Sequence, residues 1–95
     1  MIPLLLTAGD TQEAIRDAAQ RKRKSLGWSQ VELSERSGVS LGTLKRFERL
    51  GEVSLASLLA LAETMDALDA FGDLFPLPEA QTLDALDARQ RGRRK

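Results

Sequence analysis

The sequence predicts an all-α domain built from five short helices. Ser29 stands three residues before Glu32, which is the capping-box pattern of a helix start. Gly38 follows six residues after Glu32, where a left-handed glycine can end a helix. Residues 55–65 repeat apolar side chains at helical spacing. Caps, glycine stops and helical periodicity therefore all favour a small helical fold.

The first helix is predicted from about Thr11 to Leu26, with Asp10 as its N-cap and Glu13 as the capping-box partner. Gly27 would end it. Residues 1–9 precede this helix and contain an apolar run with one proline, which allows an edge strand but disfavours a central one. We expect this segment to be a short strand or an arm that packs on a partner subunit, or else a disordered terminus.

Two short helices joined by a tight turn are predicted within residues 29–49. The first ends at Gly38, and Ser40 caps the second. Leu44 and Phe47 of the second helix would point inward, while Val39 fills the turn. This arrangement leaves the other face of the second helix outside, with Leu41, Gly42, Lys45, Arg46 and Arg49 on it.

The fourth helix is predicted after Ser54, and a fifth, shorter helix over about Ala67 to Leu74. Proline at positions 76 and 78 then breaks the pattern. The compact domain is therefore expected to span residues 10–75. Residues 76–95 form a C-terminal tail with a possible short helix, Leu83 to Gln90, and a basic end.

The charge of the chain is zero in sum but unevenly distributed. Residues 1–49 carry nine Lys or Arg against six Asp or Glu, residues 50–88 carry none against eight, and residues 89–95 carry five against none. Lysine and arginine on one face favour binding to nucleic acid, and separate acidic and basic parts suit more than one partner.

Composition argues against an enzyme. The chain has no cysteine and no histidine, which excludes disulfides, thiol nucleophiles, Ser-His-Asp triads and the usual zinc ligands. Carboxylates such as Asp66 and Asp69 are expected on a solvated face, so we expect no catalysis, metal or cofactor. Residues 1–6 are too short and uncharged for a signal peptide, and no apolar run approaches the roughly 20 residues of a membrane span. A cytoplasmic location is expected.

The predicted helix pair resembles the helix-turn-helix of the Xre/Cro-repressor family, which implies a lambda-repressor-like fold of five helices that binds DNA. An ordinary αα-hairpin with solubilising charges is the alternative. The resemblance covers roughly residues 11 to 75. The matching residues are Trp28-Ser29-Gln30, Leu33-Ser34, Gly38-Val39-Ser40, Thr43-Leu44 and Arg46-Phe47-Glu48.

The resemblance implies that base edges are contacted by Leu41, Gly42, Thr43 and Arg46. Leu41 and Gly42 depart from the better-known repressors, which carry amides at these two positions. Leu41 could touch a thymine methyl, and Gly42 would let the backbone approach closely. Arg46 is then the main base reader, through the two acceptors of guanine.

The same resemblance implies one structural ion pair and a phosphate contact, and the positive charge of exposed lysines and arginines predicts further phosphate contacts. Arg23 and Glu48 hold the family positions of a buried ion pair that ties the first helix to the third. Gln30 matches the family's phosphate-clamping glutamine. The full set of predicted phosphate contacts is Gln30, Ser40, Lys45, Arg49, Arg21, Lys22 and Lys24.

Related proteins bind palindromic double-stranded operators as two-fold dimers, so a homodimer is expected. The candidate dimer contact comprises Leu68, Phe71, Leu74 and the Leu4–Leu6 segment. The small size and the tail after Pro78 further resemble the HipB type of antitoxin, partner of a HipA-like kinase toxin. The function is then an antitoxin that represses its own operon, and the alternative is a free-standing Xre-family regulator.

Overall fold

The computed structural model describes residues 7–78, which form four α-helices and one short 3-10 helix. In chain order these are α1 (Ala8–Ser25), α2 (Gln30–Ser37), α3 (Leu41–Leu50), α4 (Leu55–Thr64) and the 3-10 helix Asp69–Asp73. No strand occurs among the described residues, so the predicted all-α class is confirmed there. The Leu4–Leu6 segment and the predicted Leu83–Gln90 helix lie outside these residues.

Helix α1 begins earlier than predicted. Its N-cap is Thr7, whose hydroxyl accepts a hydrogen bond from the backbone N–H of Asp10 at 2.9 Å. Asp10 lies in the first turn instead, where its carboxylate favours the positive end of the helix dipole. The prediction of Asp10 as N-cap was therefore wrong, because a threonine three residues earlier takes that position.

The start and end of α2 match the sequence signals, and α3 ends one residue later than predicted. The Ser29 hydroxyl accepts from the N–H of Glu32 at 3.0 Å, and the Glu32 carboxylate accepts from the N–H of Ser29 at 2.8 Å, which completes the capping box. Gly38 ends α2 at φ 79°, and Gly51 ends α3 at φ 76°. Both glycines occupy the left-handed region that other residues rarely adopt.

The predicted fifth α-helix is replaced by the five-residue 3-10 helix Asp69–Asp73. Asp66, at φ 58°, stops the chain from continuing out of α4 in a helical conformation. The segment that follows has no side-chain cap and no fully buried residue. Unlike α2, this segment has neither a capping side chain nor a buried face to stabilise an α-helix, and short segments of this kind adopt 3-10 geometry. The count of five α-helices was therefore wrong for the described residues.

The core lies between α2, α3 and α4. Leu33, Leu44, Phe47 and Leu61 are each 1% exposed, and Val39 in the turn is 6% exposed. Each fully buried side chain of this kind contributes about 1.5–3 kcal/mol. Since α3 contributes both Leu44 and Phe47 to this core, its opposite face is presented to solvent. None of the helices in residues 7–78 is long and apolar enough to cross a membrane.

Candidate nucleic-acid interface

The outer face of α3 is a basic surface. Lys45, Arg46 and Arg49 are all exposed. Because successive residues of an α-helix are rotated by about 100°, these three side chains lie on the side opposite Leu44 and Phe47, which face the core. We call Lys45, Arg46 and Arg49 the basic face of α3. Three cations on one accessible helix face match a row of phosphates and base edges in a DNA groove.

The N-terminus of α3 is open for a close approach. The Ser40 hydroxyl caps the helix by accepting from the N–H of Thr43 at 3.2 Å, and it donates to the Thr43 hydroxyl at 2.9 Å. Leu41 and Thr43 are half-buried, and Gly42 is exposed. No atom lies within 4 Å of the point that a Cβ of Gly42 would occupy. The bare backbone at Gly42 therefore borders open space at the positive end of the helix dipole.

A buried ion pair holds α3 against α1. The Arg23 guanidinium donates twice to the Glu48 carboxylate, from Nε to Oε2 at 2.7 Å and from Nη2 to Oε1 at 2.9 Å. The two side chains are only 9% and 4% exposed. Arg23 also donates from Nη1 to the carbonyl of Trp28 at 2.9 Å. One arginine thus joins α1, the loop before α2 and the buried side of α3.

Glu48 is the centre of a larger polar network. Its Oε1 also accepts from the side-chain amides of Gln30 at 2.9 Å and Gln20 at 3.4 Å. Burial alone would raise the pKa of Glu48, but hydrogen bonds from Arg23 and Gln30, the charge of Arg23 and the bond from Gln20 together hold this pKa below its usual value. Glu48 is therefore held as a carboxylate, and it fixes the Gln30 amide at the start of α2.

The family model described as Helix-turn-helix matches residues 20–69. The match covers more than half of the 95-residue chain. This chain belongs to the helix-turn-helix family. The predicted Xre/Cro-type resemblance is thereby confirmed at the level of the family, and the chain is a DNA-binding regulator. Comparison with curated proteins and with solved structures finds no significant match.

In this helix-turn-helix protein, α1 makes more contacts to α3 than sequence reasoning predicted. Gln12 donates from Nε2 to the carbonyl of Gly51 at 2.7 Å, and Arg16 donates from Nη1 to the carbonyl of Arg49 at 3.4 Å. Both carbonyls lie at the C-terminal end of α3 and have no partner within the helix. The signal was present, because positions 12, 16, 20 and 23 recur at helical spacing on one side of α1.

A second contact that sequence reasoning missed involves the predicted base reader. Arg46 donates from Nη2 to Oε1 of Glu52 at 2.6 Å, and the two side chains are 59% and 52% exposed. Glu52 is the first residue after the glycine that ends α3. The left-handed turn at Gly51 brings this carboxylate back beside the helix, and no sequence pattern indicates that return.

The remaining predicted phosphate contacts lie on α1. Arg21, Lys22 and Lys24 are all exposed. Lys22 also lines an apolar groove of about 350 Å³ between α1 and α4, with Leu58 among the other lining residues. Lys22 therefore lies on the α4 side of α1, whereas Arg23 lies on the α3 side. Gln30 is thus bonded to Glu48 of α3, whereas Lys22 borders the groove on the α4 side of α1.

Proposed function

We propose that this protein is a transcriptional repressor that reads a palindromic operator as a homodimer. The observation that supports this proposal most directly is the basic face of α3, exposed on one side and held from behind by the buried Arg23–Glu48 pair. A rigid helix presented in this way can enter the major groove, which is about 12 Å wide.

In the proposed complex, the phosphate contacts set the orientation of the domain. Lys45 and Arg49 neutralise phosphates and release counterions, so affinity falls steeply with salt. Gln30 donates one amide hydrogen to Glu48, and the second hydrogen of the same amide is left for a phosphate oxygen. The N-terminal N–H groups of α2 favour the same anion.

Base reading is assigned to the N-terminal and central residues of α3. Arg46 meets the O6 and N7 acceptors of a guanine, and Leu41 touches a thymine methyl. Gly42 lets the backbone approach the groove closely, because no side chain intervenes. Thr43 completes the set with a hydroxyl beside the Ser40 cap. These few contacts favour a dimer that reads two half-sites about one turn of DNA apart.

The proposed dimer uses apolar surface at the C-terminal side of the domain. Leu68 is 39% exposed and Leu74 is 58% exposed, while Phe71 lines the apolar groove between α1 and α4. Apolar side chains exposed together are favourable to bury against a second copy. Light scattering at micromolar concentration tests the proposed dimer. A molar mass that corresponds to the monomer only would contradict it.

The Arg46→Ala variant tests base reading. A duplex selected from a random-sequence library defines the preferred site, and fluorescence anisotropy then measures affinity for that duplex and for its single-base variants. Loss of a two-bond contact to guanine should cost roughly 1–3 kcal/mol of discrimination at one base pair. The matched control is Lys45→Ala, which should weaken binding to all duplexes about equally. Equal losses of affinity for selected and random DNA in Arg46→Ala would contradict the assignment.

The biological role that we propose is the antitoxin and autorepressor of a HipBA-like toxin–antitoxin operon, acting in the cytoplasm without catalysis. Support comes from the separation of the net-basic residues 1–49 from the strongly acidic residues 50–88. DNA and a protein partner could then be bound by different surfaces. The alternative is a free-standing regulator.

The neighbouring gene distinguishes these roles. A HipA-like kinase reading frame beside this one, whose product co-purifies with the tagged full chain, supports the antitoxin role. An unrelated neighbour whose product does not co-purify supports the free-standing regulator.

A further inference from the structure

The exposed ion pair between Arg46 and Glu52 has a geometry that leaves Arg46 able to bind a base. Within the described residues, the contact consists of one hydrogen bond, from Nη2 to Oε1 at 2.6 Å. A guanidinium has five N–H donors in a planar fork. Whichever Nη2 hydrogen Glu52 accepts, a neighbouring pair of donors on one edge of the fork stays available. Glu52 and a guanine can therefore bind the same arginine at the same time.

The backbone places Glu52 beside Arg46 but away from the N-terminal end of α3, which is the end proposed to enter the DNA groove. Arg46 lies in the middle of α3, and Glu52 lies beyond the C-cap, Gly51, at φ 76°. The N-terminal half of α3 carries the other predicted base-reading residues, so the carboxylate stands behind the leading end of the helix. Side chains that are 59% and 52% exposed are accessible from solvent.

Two opposite effects of Glu52 on DNA binding can be separated. The negative charge repels phosphates, which lowers affinity for every sequence by a similar factor and is screened by salt. The hydrogen bond restricts the rotamers of Arg46, so less side-chain freedom is lost when the guanidinium meets guanine. Only the second effect depends on which base is present, and only the second needs Arg46.

We propose that Glu52 is a positioning residue that holds the Arg46 guanidinium for guanine and thereby raises sequence discrimination while lowering general affinity for DNA. This inference rests on the proposed function, since it needs Arg46 to read a base. It assigns to Glu52 a role in specificity, although the residue lies outside the recognition helix and carries the same charge sign as DNA.

The test is the Glu52→Gln variant in two backgrounds. Discrimination is measured as the ratio of affinities for the selected duplex and for the same duplex changed at the base pair that Arg46 reads. The glutamine oxygen still accepts a hydrogen bond but carries no charge, so Glu52→Gln should hold Arg46 more weakly. It should lower this ratio by roughly two- to tenfold, at most the factor expected from freeing one side chain. Its affinity for random duplex should be higher at low salt, because one charge that repels phosphates is removed. In the Arg46→Ala background, Glu52→Gln should leave the ratio unchanged.

Glu35→Gln is the matched control, because it removes one exposed carboxylate from α2 of the same helix-turn-helix. It should leave the ratio at the wild-type value. The proposal is overturned if Glu52→Gln keeps or raises the ratio, or if it lowers the ratio equally in the Arg46→Ala background. A wild-type protein with no sequence preference would refute the proposed function and this inference together, whereas an unchanged ratio in Glu52→Gln refutes the inference alone.

Discussion

Arg23→Met should lower the free energy of unfolding by about 3–5 kcal/mol, which is the expected cost of leaving one partner of a buried ion pair alone. Glu48 would lose both bonds from the guanidinium and stay buried, with its side chain 4% exposed. The carbonyl of Trp28 would lose the bond from Arg23 as well. Urea unfolding followed by circular dichroism measures the change. A small domain has only about 5–15 kcal/mol of stability in total, so this single substitution should remove a large part of it.

Two controls separate the buried pair from a general effect of arginine. Arg16→Met removes a half-buried pair with Asp17 on the same helix, with side chains 24% and 50% exposed, together with the 3.4 Å bond to the carbonyl of Arg49, and should cost less than about 2 kcal/mol. The double variant Arg23→Met/Glu48→Leu should be more stable than Arg23→Met alone, because no unpaired buried carboxylate remains. If Arg23→Met unfolds at the same urea concentration as Arg16→Met, the pair does not stabilise the fold.

The lowered pKa of Glu48 gives this pair a dependence on pH with a definite sign. A carboxyl whose folded pKa is depressed contributes stability that is fully present above its unfolded value, 4.5, and is lost as the pH falls through the folded pKa. Wild-type protein should therefore lose stability on acidification below about pH 4.5. In Arg23→Met the buried Glu48 carboxylate has no cationic partner, so protonation removes an unfavourable buried charge. The stability difference between the two proteins should narrow in acid.

The sequence predicted those parts of the structure whose causes are local. Ser29 and Glu32 form the capping box, Gly38 ends α2 in the left-handed region, and Leu44 and Phe47 are buried. Each of these depends on residues within about one turn of the chain. Arg23 and Glu48 are 25 residues apart, and their contact was expected only because the resemblance supplied it.

Errors and omissions arose where neighbouring residues compete or where the chain returns in space. Thr7 caps α1 in place of Asp10, because two residues in one short segment could each supply the cap oxygen. The 3-10 helix replaced the expected fifth α-helix, because Asp66 adopts a positive φ that its identity does not reveal. The Arg46–Glu52 pair depends on a turn at Gly51. The effect on base reading that we propose for this pair follows only from the three-dimensional arrangement.

Phe47→Ala should cost about 3–5 kcal/mol, because it removes the largest fully buried side chain of the core and leaves a cavity that the helices cannot fill. Since Phe47 lies on the side of α3 opposite its basic face, the substitution removes the packing that holds α3 in place. We therefore expect Phe47→Ala to lose stable folding and DNA binding together, as measured by urea unfolding and by fluorescence anisotropy on the selected duplex.

Phe47→Leu is the discriminating companion variant, because it keeps most of the apolar volume and should cost less than about 1.5 kcal/mol. It should still bind the selected duplex with nearly wild-type affinity, since every side chain of the basic face is retained. Leu55→Ala, at a side chain 65% exposed, should change stability by no more than about 0.5 kcal/mol. If the free energy of unfolding of Phe47→Ala equalled that of Leu55→Ala, the packing of Phe47 would not be what holds α3 in the fold. The presentation of Lys45, Arg46 and Arg49 to a DNA groove would then need another structural basis.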